Sequence, residues 1–187
     1  MDGLCPQLRN LLPDVRLAPL LVGAERDPIE LVGEAVAGQL VDTLHVVAHG
    51  RRGGFQLGEQ WIDRKVLVEN AASLARWTFR RIALWSCSLG QDPSFISLLA
   101  ELTGAEVWST DQSLGEGQIW RLKLSAPEHA ASPGCVLSDE PQPPFTMAAL
   151  KSWPYQLNRK CPDPFRETLG NPGDSGENGC DRRSGLG

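Results

Sequence analysis

Hydrophobic positions in the first two thirds of the chain follow two rhythms in turn. Nearly unbroken apolar runs occupy Thr43 to Ala48, Arg81 to Trp85 and Ala105 to Thr110. This is the pattern of strands buried on both faces, as in parallel sheets. Between the runs the apolar residues fall at helical spacing. Ile29, Val32, Val36 and Leu40 form one stripe, and Val66, Leu67, Asn70, Ala71 and Leu74 form a second. Phe95 to Leu102 supplies a third. Such stripes bury one side of a helix against a sheet.

The helix starts are marked chemically. Asp27-Pro28-Ile29-Glu30 places a capping carboxylate, a first-turn proline and a capping-box glutamate in register. Asp63 and Asp92-Pro93 mark two further starts, and Gly104 marks a stop. Val15 to Val22, interrupted by Pro19, reads as an edge or early strand. Phe55-Gln56-Leu57 and Trp61-Ile62, punctuated by Gly53, Gly54 and Gly58, read as a small hairpin beside the main sheet. Gln118 to Leu124 reads as a last strand, antiparallel or at an edge. The order predicts an α/β domain over residues 14–124, a three-layer α/β/α sandwich around a mostly parallel sheet.

The pattern fades after Leu124. Nine of the fourteen prolines and seven of the nineteen glycines lie in residues 125–187. A segment with so little apolar periodicity reads as a tail of low order. Phe145 to Leu150, with Trp153 and Tyr155, is its one candidate anchor. No internal repeat is visible.

Composition narrows the function. With 187 residues, 41% of them hydrophobic, one core of ordinary size is expected. A net charge of -5, with no cluster of Lys and Arg, gives nothing to attract a phosphate backbone, so nucleic acid is not an expected partner. No run is long enough to span a bilayer. The start Met1-Asp2-Gly3-Leu4-Cys5-Pro6 has no secretory character, which predicts a cytoplasmic setting. Five scattered cysteines, Cys5, Cys87, Cys135, Cys161 and Cys180, with no CxxC spacing, argue for reduced thiols rather than a disulfide framework or a zinc site. No metal or cofactor is expected.

Chemistry concentrates at two strand ends. His49-Gly50 closes the first apolar run and Ser86-Cys87 closes the second. Parallel neighbours joined by crossover helices bring their carboxyl ends to one edge of a sheet, where open α/β folds build their sites. Histidine beside a thiol favours the thiolate and can later protonate a leaving amine. The N–H of Gly50, unobstructed by a Cβ, and that of Cys87 would form an oxyanion hole. The plainer alternatives are a buried structural thiol at Cys87 and a turn histidine at His49. His45 shares the face of His49 and either supports the dyad or is a satisfied core histidine. His129, in the tail, has no assigned role. Asp111 and Ser109, at the end of a later strand, and Arg51 with Arg52, beside the cleft, are candidates for substrate binding. A turn cap and a solvated loop are the competing roles for Asp111 and for the arginines. Trp61, Trp77, Trp85, Trp108 and Trp120 read mostly as core.

A strand ending in His-Gly, followed by one ending in a small residue plus Cys, resembles caspase-like, clan CD cysteine peptidases. The fuller set Leu44–Gly50, Trp85-Ser86-Cys87-Ser88 and Leu102–Asp111 is similar to a bacterial domain of unknown function, the 4347 family, which heads large repeat-rich surface or secreted proteins. The resemblance implies a caspase-like fold with His49 and Cys87 as dyad and leaves a surface or secreted location open. Arg51-Arg52-Gly53 departs from the usual small, Pro-containing turn, and no repeat array follows. Two functions are therefore expected. One is a cysteine peptidase or self-processing domain acting on peptide bonds. The other is a non-catalytic module that holds a peptide or protein partner in the same cleft.

Overall fold

The computed structural model describes residues 11, 18–39, 41–115, 118–125, 139–155 and 157. A four-stranded sheet forms its centre. It is built from β1 (Thr43–Val47), β5 (Arg81–Trp85), β6 (Glu106–Ser109) and β7 (Lys123–Leu124), side by side in that order. β1, β5 and β6 run parallel, with Thr43 opposite Arg81 and Ala83 opposite Trp108. β7 is antiparallel at the edge. β2 (Gly50–Arg51), β3 (Gly54–Leu57) and β4 (Gln60–Asp63) make a separate antiparallel sheet, the expected hairpin with one short strand added.

The helices are α1 (Pro28–Val36), α2 (Arg64–Glu69), α3 (Ala71–Leu74), α4 (Pro93–Thr103) and α5 (Met147–Ser152). The predicted caps form as bonds. Asp27 accepts from the N–H groups of Ile29 and Glu30 at 2.8 and 3.0 Å, Asp63 from Val66 and Asp92 from Phe95, both at 3.1 Å. Each satisfies amides that a helix start leaves without a partner. Gly104 ends α4 at φ +69°, a conformation that favours glycine. The second predicted helix is broken at Asn70, whose side-chain amide donates to the Val66 carbonyl at 2.9 Å. A side chain that bonds the backbone locally competes with helix continuation.

Strand alternation divides the interior in two. Val46, Ile82, Leu84 and Val107 face one way and meet Ile29, Leu67, Leu74, Phe95 and Leu99 from the helices. Ala83, Trp85 and Trp108 face the other way. Their cover comes from Leu114, Trp120 and Leu122 and from the C-terminal segment, through Phe145, Ala149, Leu150, Trp153 and Leu157. The fold is α/β with a mostly parallel sheet covered on both faces.

Two sequence expectations change in detail. Residues 18–22 form no strand, and the rest of the Val15–Val22 run lies outside the described residues, as does Leu40. In the Pro- and Gly-rich tail, residues 139–155 and 157 are laid on the sheet, so the aromatic anchor docks. Trp120 lies at its centre, with ring centroids 6.1 Å from Phe145 and 5.8 Å from Trp153, both edge to face. Composition had hidden this, because a few large rings bury enough area to hold a segment that lacks periodicity. Residues 126–138 and 158–187, which include His129, Cys135, Cys161 and Cys180, lie outside the described residues, as does Cys5.

Candidate active site

His49 lies two residues past the end of β1, Gly50 opens β2, and Cys87 lies two residues past the end of β5. Because β1 and β5 are adjacent and parallel, both motifs leave the sheet at one edge. Their backbones touch. A Cβ added to Gly50 would lie 2.6 Å from the Cys87 carbonyl oxygen, 2.7 Å from its amide nitrogen and 2.7 Å from the Ser86 Cβ. Glycine is thus required at this position because only a residue without a side chain admits the Cys87 peptide. The sequence had pointed to the same glycine for a different reason, access of a substrate carbonyl.

The chain turns sharply after the thiol. Ser88 has φ +61°, among the described residues the one non-glycine in that region. It opens the 3-10 turn Leu89–Gln91. Such a conformation costs about 1–3 kcal/mol and persists only where surrounding structure imposes it. Here the Ser88 N–H donates to the Gln112 carbonyl at 3.0 Å, and the Gly90 N–H to that of Thr110 at 2.8 Å. The turn aims the Cys87 side chain at Leu114, whose N–H lies 3.0 Å from the sulfur and whose carbonyl lies 3.7 Å from it.

A backbone carbonyl from elsewhere in the chain caps the His49-Gly50 motif. The Leu157 oxygen accepts from the Gly50 N–H at 3.3 Å and from His49 Nδ1 at 2.7 Å. A carbonyl can only accept, so Nδ1 carries the proton in this contact. The Leu157 N–H donates to the Leu114 carbonyl at 3.0 Å. Leu157 and Cys87 are both 0% exposed. Burial pushes the Cys87 thiol above its ordinary pKa, and backbone hydrogen bonds from Leu114 and Leu157 work against that shift. The thiol is therefore closed off and protonated around neutral pH.

The other predicted residues have different partners. His45 Nδ1 accepts from Trp85 Nε1 at 3.1 Å, and the two rings lie nearly parallel at 6.3 Å. Burial, then the charge of Arg81, hold its pKa below the ordinary value. Half-buried, this histidine has its hydrogen bond satisfied by Trp85. It lines a cleft of about 350 Å³ with Thr43, Arg81 and Glu140, at the opposite, amino-terminal edge of the sheet. The fully buried Ser109 hydroxyl bonds Ser125 Oγ at 2.8 Å. The Asp111 carboxylate faces Lys123 at 3.6 Å on the surface, and its carbonyl accepts from Gln91 at 2.7 Å. The Arg51 guanidinium lies 4.1 Å over the Trp61 ring. Trp77, Trp85, Trp108 and Trp120 are core, while Trp61 is half-buried on the hairpin.

Leu114 and Leu157 were not read from the sequence. Leu114 sits in a polar loop and Leu157 between Gln156 and Asn158, and a residue that acts through its backbone leaves no side-chain signature. The nearest signal was the aromatic anchor that delivers Leu157.

Fold and site together define an α/β domain with a histidine and a cysteine at the carboxyl edge of adjacent parallel strands. The chain matches the family described as Domain of unknown function (DUF4347) over residues 2–155, and it belongs to that family. No curated protein and no solved structure matches it. The matched span takes in the aromatic anchor and stops two residues before Leu157. Among the described residues, no helix is long and apolar enough to cross a membrane.

Proposed function

We propose that the domain is a cysteine-dependent peptidase of caspase-like type. In this reading Cys87 is the nucleophile, His49 the proton carrier and Gly50 an oxyanion donor, and the substrate is a peptide or protein segment. One observation carries it: a peptide carbonyl sits between the Gly50 N–H and His49 Nδ1, with its residue buried beside Cys87. The Gly50 N–H is a donor of the kind needed where negative charge develops on an attacked carbonyl, and His49 lies beside it to move the proton. The buried, protonated thiol is the resting form, and the active form requires Leu157 to withdraw or to react.

The same burial favours a second reading. A domain that only holds a peptide would keep the cleft, the Gly50 donor and an inert thiol. The two separate on the reactivity of Cys87 once the cleft is open. In a Leu157→Gly chain with the other four cysteines replaced by serine, a peptidase should show alkylation of Cys87 with an apparent pKa below about 7.5, against roughly 8.5 for an ordinary thiol. His49→Ala should return it to the ordinary value. An opened Cys87 that titrates as an ordinary thiol, with or without His49, would leave the binding module as the function.

A further inference from the structure

The segment in the cleft identifies a substrate, an assignment that rests on the peptidase reading above. We propose that the domain cuts its own chain after Leu157, at the bond to Asn158, so that the substrate of the site is the C-terminal segment that covers it.

Leu157 is held through its N–H, its carbonyl and its side chain. Its N–H bonds the Leu114 carbonyl at 3.0 Å, which ties the backbone to the residue that also contacts the Cys87 sulfur. Its carbonyl meets Gly50 at 3.3 Å and His49 at 2.7 Å. Its side chain is fully buried in the cluster that also contains Cys87, Leu114 and Trp153. A loop that needed only to satisfy a buried carbonyl would require one donor of any kind. Here both donors belong to the His-Gly pair. The segment is also anchored just upstream, through Phe145, Leu150 and Trp153, so the carbonyl is presented from within the molecule. Presentation of this kind removes the cost of bringing two partners together and fixes their orientation. It also predicts a preference for leucine or a similar aliphatic side chain before the cut.

The chemistry balances without an oxidant or reductant. The thiol of Cys87 gives up its proton through His49, and the sulfur bonds the Leu157 carbonyl carbon. The carbon–nitrogen bond to Asn158 breaks, and the proton passes from His49 to the departing amine. Water then splits the thioester, leaving a carboxylate on Leu157 and restoring the thiol. The product carboxylate remains between Gly50 and His49 until the anchored segment lifts away, so the cut primes the cleft for other peptides.

The test is the intact mass of the purified full chain followed over time, alongside Cys87→Ala, Cys87→Ser and Asn158→Pro. A fragment spanning residues 1–157 should accumulate at a rate independent of protein concentration. It should be absent from both Cys87 variants, whose circular dichroism matches the native chain, and from Asn158→Pro, which alters only the leaving side. A chain that stays intact, or one cut elsewhere or without Cys87, overturns the proposal. Addition of leucine-containing peptides to the Leu157→Gly chain then separates the two failures. Cys87-dependent hydrolysis there means that the domain is a peptidase whose substrate is not its own segment, and no hydrolysis means that the peptidase reading has failed as well.

Discussion

One face of the central sheet is covered by α1, α2, α3 and α4, and the other by a loop, a short helix and a set of aromatic rings. On the first face, Ile29, Leu67, Phe95 and Leu99 come from helices near in sequence to the strands they cover, each capped by an aspartate. On the second, Trp85 and Trp108 meet Trp120, Phe145, Trp153 and Leu157, and the last three are carried by a segment far along the chain. A face built from contiguous helices closes as the domain folds. A face closed by a remote segment can open locally while the rest holds, because such segments rank low in local stability. The candidate site lies at the edge of the second face, under that segment.

Trp85→Ala should have the largest effect, a loss of about 3–5 kcal/mol measured by chemical denaturation, since Trp85 is fully buried and its ring stacks with that of Trp120. Trp153→Ala removes a comparable ring from the cover itself. If the cover is a separate local unit, its global cost is much smaller than that of Trp85→Ala, and amide exchange increases only in residues 139–157. Equal global costs would erase the distinction between the two faces.

Gly50→Ala should cost about 1–3 kcal/mol in thermal melts, because its Cβ meets backbone rather than a movable side chain. A neutral result would mean that the two strand ends are not in contact. The caps sharpen the comparison at smaller magnitude. Asp92→Ala, at the start of α4, should cost about 1 kcal/mol of global stability. Thr146→Ala removes the matching bond to Ala149 on α5 and should loosen that segment more than it destabilises the domain.

The smallest effect is a pH dependence. Burial raises the Cys87 pKa, so the contribution of the neutral buried thiol is fully present below the ordinary thiol value near 8.5 and is lost as pH rises toward the folded value. Stability should decline across that alkaline range in the native chain. The decline should be shallower in Cys87→Ala.

The first face was legible in the sequence because its information is local. Asp27-Pro28, Asp92-Pro93 and Gly104 mark helix ends within a few residues of the stripes they delimit. The break at Asn70 was not, because a side chain bonding its own backbone looks like any polar residue in a helical stripe. The candidate site was half legible. His49-Gly50 and Cys87 stood out by residue type at strand ends, and parallel topology brought them together. Leu114 and Leu157 act through main-chain groups that every residue has, so only the fold could reveal them. Ser109, Asp111 and Arg51 were residues of suitable chemistry near suitable strand ends, and their observed partners are Ser125, Lys123 and Trp61.

Amide hydrogen exchange at Gly50 tests most directly whether the C-terminal segment covers the candidate site. With the Leu157 carbonyl as its acceptor, the Gly50 amide should be protected in the native chain and exchange about tenfold or more faster in Leu157→Gly, while the Leu84 amide in the sheet is unchanged. A Gly50 amide that exchanges like an open loop in the native chain, or at the same rate in both proteins, would contradict the account.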